Sequence, residues 1–423
     1  MSIDPGLLDD LEWRGLLAHT TDRDALRSAL SEGSVRFYVG FDPTAPSLHM
    51  GNLVQILTAR RLQLAGHTPY ALVGGATGMI GDPKDSGERT LNSLDTVKSW
   101  VAKVRTQIEP FLMFEGPNAA TMVDNYDWTA SLSTIDFLRD IGKHFPVNRM
   151  LGRETVKRRL ESGISFTEFS YVLLQSMDFL NLYRDHGVTL QFGGSDQWGN
   201  ITGGVELIRR ADGGHAHAFA TPLITKADGT KYGKTEGGAL WLDPQMLSPY
   251  AFYQFWLNIE DSQVVEMLKT FTFFSREEIE EFGRQTEEKP FLRAGQKALA
   301  EHVTSLVHGA EETAHVQAAA AALFGGGDLF ALSVDTLGAA LREAGSATVS
   351  GEIPPYVDLM VDAGLAKGRG EARRTIAEGG AYLNNVRVED ADLVPTSADL
   401  VGGAWLVLRR GKKTFAGVEV TPT

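Results

Sequence analysis

Four clusters of residues combine types and spacings that could do chemistry. The first is Tyr38-Val-Gly-Phe-Asp-Pro-Thr-Ala-Pro-Ser-Leu-His-Met-Gly-Asn52. A strand ends, a Pro-containing loop turns, and a helix begins near His49. The unpaired N–H groups and the dipole of a helix start attract phosphate. His49 adds a proton-bearing donor there, and Gly51 leaves room for a flat base against the backbone. The second cluster is Lys231-Tyr-Gly-Lys-Thr235, inside the polar, Gly-rich stretch TKADGTKYGKTEGG. Two lysines three apart beside a hydroxyl suit a polyphosphate, although alone the segment also fits a solvated loop. The third is Tyr171, Gln175 and Asp178, whose i, i+4, i+7 spacing puts a phenol, an amide and a carboxylate on one helix face. Their neighbours in FSYVLLQSMDFL are too apolar for a solvated helix. The fourth is Gly193-Gly-Ser-Asp-Gln-Trp-Gly-Asn200, directly after a strand-like run.

These clusters need a frame. RFYVGF at 36–41 and PYALVGG at 69–75 read as strands. The stretch between them, from about Met50 to Leu64, reads as a helix that Gly66 suits as an end. Strands alternating with helices imply a parallel sheet with ligands at the carboxyl ends of its strands. VTLQFGG at 188–194 is a further strand, preceded by a helix over about 165–182. The segment 131–160 is helical in pattern and strongly basic. It carries Lys143, Arg149, Arg153, Lys157, Arg158 and Arg159 against Glu154 alone between 143 and 159. Residues 247–323 read as helices. The glycines 325–327 and the stretch 345–355 read as loop and linker, and a compact last unit runs from 356 to 423.

Composition bounds the function. The 423 residues are 43% hydrophobic and 22% charged, ordinary for a globular chain and enough for two to three domains. The absence of cysteine excludes disulfides, thiolate zinc sites and cysteine nucleophiles. No apolar run is long enough to span a membrane, and MSIDPGLLDDLEW does not read as a signal peptide. A cytoplasmic protein is expected, with no membrane association. The net charge of −14 makes nucleic acid an unobvious partner unless basic residues are concentrated locally. His215 and His217 have no carboxylate at metal-ligand spacing and read as surface histidines, so no metal site is expected.

Together these residues resemble the bacterial tyrosyl-tRNA synthetases, a family of class I aminoacyl-tRNA synthetases. His49-Met-Gly-Asn52 resembles the class signature HIGH, and Lys231-Tyr-Gly-Lys-Thr235 resembles KMSKS in its tyrosyl form. The resemblance also covers YxxLQxxDF at 171–179, GGSDQWGN and the tail. Asn52 departs from the second His of HIGH; it can still donate a hydrogen bond but carries no charge. The loop 81–89 departs in being shorter, so whether Lys84 contacts phosphate stays open. The resemblance implies an α/β fold. A Rossmann-like parallel-sheet catalytic domain over 1–225 would be followed by the KMSKS-type loop and an α-helical domain over 226–330. A linker at 331–355 and a small α+β RNA-binding domain at 356–423, similar to a small-subunit ribosomal protein, would complete it.

The same resemblance implies a tyrosine–tRNA ligase activity. Tyrosine would be activated by ATP to tyrosyl-adenylate and passed to the 3′ end of tRNA(Tyr). Magnesium would arrive with ATP, and no tightly bound metal or organic cofactor is implied. Tyr38 and Asp178 would meet the substrate phenol. Asp82, Tyr171 and Gln175 would meet its ammonium, and Gln197 its carboxyl or the adenylate. Gly40, Asp42, His49, Gly51, Asn52 and Asp196 would line the ATP groove, with Asp196 on the ribose. Thr44, His49, Lys231, Lys234 and Thr235 would hold the phosphates as they separate. Arg153 and Lys157 would face the tRNA acceptor stem, and Lys367, Arg369, Arg373 and Arg374 would bind tRNA from the tail. A homodimer is implied. Tryptophanyl-tRNA synthetase is the alternative enzyme, but an indole pocket has no use for both Tyr38 and Asp178. An RNA-binding protein on a degenerate synthetase would be expected to have lost Lys231, Lys234 or the Asp82/Asp178 pair. All are present.

Overall fold

The computed structural model describes residues 3–83, 91–225, 239–324, 327–411 and 414–421. The chain divides into two compact units. One comprises Met1–Met246 and Asp261–Glu287, the other Leu247–Glu260 and Glu288–Thr423.

The first unit is built on a six-stranded sheet. Its strands are β1 (His19–Thr20), β2 (Arg36–Phe41), β3 (Thr68–Val73), β4 (Thr121–Asp124), β5 (Leu190–Gly194) and β6 (His217–Thr221). Their spatial order is β1-β6-β5-β2-β3-β4. All pairs are parallel except β1 with β6. Parallel strands are covered on both faces, which is why β2 and β3 read as apolar-aromatic runs rather than alternating ones. The chain leaves β2 for β3 and β4, then returns to β5 on the other side of β2. This reversal opens a crevice at the carboxyl ends of β2 and β5, where an α/β sheet binds its ligands.

Helices supply the crossovers. Met50–Leu64 joins β2 to β3. Phe166–His186 runs into β5, capped by the Ser165 hydroxyl accepting the Glu168 N–H and ended by Gly187 at φ 62°. Trp198–Asp212 joins β5 to β6. The segment 261–287 is tied to this unit by two buried arginines. Arg61 donates to the Thr272 carbonyl at 2.5 Å, and Arg14 to the Phe274 carbonyl at 2.8 Å. They satisfy carbonyls at and beyond the end of the Val264–Phe271 helix, which has no helical partner for them.

The basic segment differs from its sequence reading. Residues 131–160 do not form one helix. They break into short turns over 134–136, 137–141, 142–144, 147–151 and 154–159. Gly142, Pro146 and Gly152 fall at the breaks.

The second unit begins with the helices Pro249–Leu257, Ala294–His308 and Ala310–Leu323. It ends in a sheet of five strands: β7 (Ser346–Ser350), β8 (Ala381–Leu383), β9 (Val386–Arg387), β10 (Trp405–Arg410) and β11 (Thr414–Thr421). Their spatial order is β7-β11-β10-β8-β9. Leu406, Leu408 and Val418 pack there against Tyr356, Met360 and Ile376. The stretch read as linker is instead structured. Ser333 caps a helix over Val334–Ala344, and β7 pairs in parallel with β11. Gly338 lets that helix approach the Trp405 ring: a Cβ there would lie 3.1 Å from the indole nitrogen. β7 leaves little trace in the sequence because its two apolar residues, Ala347 and Val349, are only half-buried. No helix among the described residues is long and apolar enough to cross a membrane.

Candidate active site

The deepest part of the crevice holds Tyr38 and Asp178. Tyr38 comes from the middle of β2 and Asp178 from the Phe166–His186 helix. They are 1% and 2% exposed, among Tyr70, Leu72, Leu173, Met177 and Phe179. Asp178 accepts from Asn125 Nδ2 and from Trp128 Nε1, each at 2.9 Å. Burial pushes its carboxyl up to about 7, against the downward pull of those two hydrogen bonds. The Tyr38 hydroxyl has no hydrogen-bond partner among the described residues. Burial, and then the charges of Asp178 and Asp42, raise its pKa well above the usual phenol value. A carboxylate and an unmatched hydroxyl in an apolar recess would suit a ligand that brings its own hydroxyl.

Above this floor lies a second layer. Tyr171 donates to Asp42 Oδ2 at 2.6 Å, and Thr77 donates to Asp42 Oδ1 at 2.7 Å. Asn125 Nδ2 also donates to Thr77 Oγ1 at 2.9 Å, so one amide ties the two layers together. Gln175 Oε1 is buried and has no partner among the described residues. The resemblance sets Asp42 in the nucleotide groove beside Gly40. β2 ends at Phe41, so Asp42 follows directly at the carboxyl end of the strand, where Tyr171 and Thr77 engage it.

The third layer joins Asp82 to the start of the Trp198–Asp212 helix. Gln197 Nε2 donates to Asp82 Oδ2 at 2.9 Å, and Asn200 Nδ2 donates to Asp82 Oδ1 and Gln197 Oε1 at 3.0 Å. Arg153 Nη2 donates to Asn200 Oδ1 at 2.5 Å. Asp82, Pro83, Arg153, Phe169, Asp196 and Asn200 line one continuous pocket. A carboxylate with amide donors on both oxygens still has lone pairs to offer a cation.

The rim carries the phosphate candidates. His49 caps the Met50–Leu64 helix: its Nδ1 accepts the Gly51 N–H at 3.0 Å, and Asn52 Oδ1 accepts the His49 N–H at 3.1 Å. The histidine proton therefore sits on Nε2. The ring is accessible, yet surrounding protein lowers its pKa by desolvation, against a smaller upward pull from Asp196. A neutral imidazole donating from Nε2 is the result. A Cβ on Gly51 would lie 3.0 Å from the His49 ring, which accounts for that glycine. Gly40, Thr44 and Asp196 are exposed. Lys84, Lys231, Lys234 and Thr235 lie outside the described residues.

The expected tRNA contacts divide. Lys157 is exposed and pairs with Glu154 at 3.1 Å. Arg153 is half-buried and donates to Asn200 Oδ1. Arg159, also in the basic run, is buried against Glu168 at 3.0 Å. In the second unit Lys367, Arg369, Arg373 and Arg374 are exposed. Arg369 pairs with Asp358 and Arg373 with Asp392. Such exposed pairs are weak and yield readily to a phosphate.

Four site residues escape a reading of the sequence: Thr77, Asn125, Trp128 and Asn200 in its linking role. Thr77 and Asn125 follow the carboxyl ends of β3 and β4, and their position on a parallel sheet is the signal that could have found them. Trp128 offers no signal of its own. Among the described residues no three His, Asp or Glu side chains gather as metal ligands.

Two family models match. Residues 30–325 fit the class I tRNA synthetases (W and Y), and residues 337–418 fit the tyrosine–tRNA ligase SYY-like C-terminal domain. The chain is 62% identical over 419 residues to a tyrosine–tRNA ligase of Streptomyces griseus, covering 98% of this chain and 99% of that one. It is 60% identical to one from Kineococcus radiotolerans, covering 97% and 98%. Among solved structures, a C-terminally truncated mitochondrial tyrosyl-tRNA synthetase of Aspergillus nidulans is 31% identical with a TM-score of 0.66, covering 73% of this chain and 92% of that one. A tryptophanyl-tRNA synthetase of Plasmodium falciparum, 12% identical with a TM-score of 0.54 and covering 79% of this chain and 88% of that one, shares the fold.

Proposed function

We propose how the site works from one premise: the chain belongs to the tyrosine–tRNA ligases, a family of class I tRNA synthetases. It is an ATP-dependent ligase that joins tyrosine to tRNA. The substrate phenol enters the recess between Tyr38 and Asp178, donating to Asp178. The observation that carries this reading is the pair itself: a buried carboxylate beside a buried hydroxyl without a partner among the described residues. The substrate ammonium meets Tyr171 and Gln175 of the second layer and Asp82 of the third. Gln197 faces the carboxyl.

One carboxylate oxygen of tyrosine attacks the α-phosphorus of ATP. A new P–O bond forms, the α–β P–O bond breaks, and pyrophosphate leaves. Neither partner needs covalent help from the protein, so catalysis rests on positioning and on charge stabilisation. His49 donates from Nε2 to the phosphates, with Thr44, Lys231, Lys234 and Thr235 completing their cradle. Magnesium comes bound to the ATP phosphates rather than in a protein cage. Gly40, Asp42, Gly51, Asn52 and Asp196 line the nucleoside side. A 3′-terminal ribose hydroxyl of tRNA then attacks the adenylate carbonyl, and AMP leaves.

Lys157 and the exposed cations Lys367, Arg369, Arg373 and Arg374 supply phosphate contacts for the tRNA. Exposed apolar residues in and beside the broken basic segment support a homodimer: Ile135, Val147 and Phe166 are 69%, 60% and 73% exposed. The enzyme works in the cytoplasm.

The test is ATP–pyrophosphate exchange with tyrosine, phenylalanine and tryptophan in parallel. Exchange with tyrosine alone is expected. A site built to hydrogen-bond a substrate hydroxyl leaves buried polar groups unpaired when phenylalanine enters. For tyrosyl-tRNA synthetases the resulting rejection is established at about 10⁵-fold without editing, a family value rather than one worked from this site. Exchange with tryptophan would overturn the pocket assignment.

A further inference from the structure

Arg153 occupies a place that local physics does not favour. Its guanidinium lies over the first turn of the Trp198–Asp212 helix, where a Cβ on Gly199 would come within 2.8 Å of Nη2. A cation at a helix start opposes the helix dipole. The group is also partly desolvated, and among the described residues no carboxylate lies within ion-pairing distance of it. Two things hold it there: the hydrogen bond to Asn200 Oδ1 and the field of Asp82. By fixing Asn200 Oδ1, it aims the Asn200 amide hydrogens at Asp82 and Gln197. Gln197 in turn grips the second oxygen of Asp82. Asp82 is thus held through both oxygens by amides whose orientation traces back to one arginine.

We propose that Arg153 is a positioning residue for amino-acid recognition, acting through Asn200 to lock Asp82 and Gln197 against the ammonium and carboxyl of the substrate. This rests on the tyrosine-pocket reading above and gives Arg153 a task other than the tRNA contact its basic neighbours suggest. Gly199 belongs to the same device, since a side chain there would displace the guanidinium.

The test compares R153M and G199A with wild type using two probes. Tyramine carries both phenol and ammonium; 4-ethylphenol carries the phenol alone. In both variants tyramine is expected to bind about tenfold more weakly, with 4-ethylphenol within twofold of wild type. KM for tyrosine rises in exchange while kcat stays within threefold, and KM for tRNA is unchanged. The atom displaced in G199A is the free end of a flexible side chain, and Ala is the better helix former, so that variant folds even if R153M does not. Equal weakening of both probes would reduce Arg153 to a structural role and overturn the proposal. So would unchanged tyramine binding, or a raised KM for tRNA alone. Failure of wild type to bind either probe would instead overturn the pocket reading beneath it.

Discussion

Replacing Trp128 with Phe removes one hydrogen bond from Asp178 while keeping an aromatic ring in place. In the intact site burial lifts the Asp178 carboxyl to about 7, and the Asn125 and Trp128 hydrogen bonds hold it from rising further. A hydrogen bond to a charged group is worth about 1.5–3 kcal/mol. At about 1.36 kcal/mol per pKa unit, losing one raises the carboxyl by roughly 1–2 units. At pH 7.5 the intact site is about three-quarters ionised, whereas a carboxyl near 8.5 is about one-tenth ionised. In the proposed pocket only the ionised form accepts fully from the substrate phenol. KM for tyrosine in ATP–pyrophosphate exchange at pH 7.5 should therefore rise about eightfold at that midpoint, within a span of roughly three- to twenty-five-fold for 1–2 units. It should recover toward the wild-type value as pH climbs past 9, because KM falls as Asp178 deprotonates. The measurement is KM for tyrosine from pH 6 to 9.5 in both proteins. If the inflection stays where it is in wild type, Asp178 is not the group that titrates. A KM raised equally at every pH would mean that Trp128 acts through packing alone.

Other perturbations separate the layers of the site. Tyr38→Phe removes a buried hydroxyl that lacks a partner among the described residues. Urea unfolding should show a gain of about 1 kcal/mol, while tyrosine binding weakens by about 0.5–1.5 kcal/mol. Asp178→Ala should raise KM for tyrosine about a hundredfold, by the roughly 3 kcal/mol of a lost charged hydrogen bond, and erode rejection of phenylalanine. Tyrosine activation at the wild-type level would refute the pocket. The same variant should lose a pH slope: Asp178 holds a proton in the folded state that an unfolded carboxyl of 3.8 would release, so native stability falls as pH rises from about 4 to about 7. Glu168→Gln takes a buried carboxylate from the Arg159 guanidinium, which keeps its hydrogen bonds to the Gly163 carbonyl, and should cost roughly 3 kcal/mol in urea melts, while the apolar double replacement of both residues should recover most of it.

What can be read from the sequence follows the range of the forces involved. Tyr171, Gln175 and Asp178 are legible because helical spacing alone puts them on one face. His49, Gly51 and Asn52 are legible because a helix start has unpaired N–H groups whatever surrounds it. The alternation of strands and helices predicts a parallel sheet and a crevice at its carboxyl ends. Asn125 and Trp128 are not legible, because they meet Asp178 across about 50 residues of chain, by a packing that no local pattern encodes. The run from Lys143 to Arg159 shows the limit most directly. As a string it is almost uniformly basic, and charge alone assigns it one partner. Folded, its glycines and proline break it into turns that send the cations three ways: Lys157 to solvent, Arg159 into a buried ion pair, Arg153 toward Asn200. A charge run states how much charge is present, but the backbone breaks within it decide which charges reach an RNA and which are spent holding the site together.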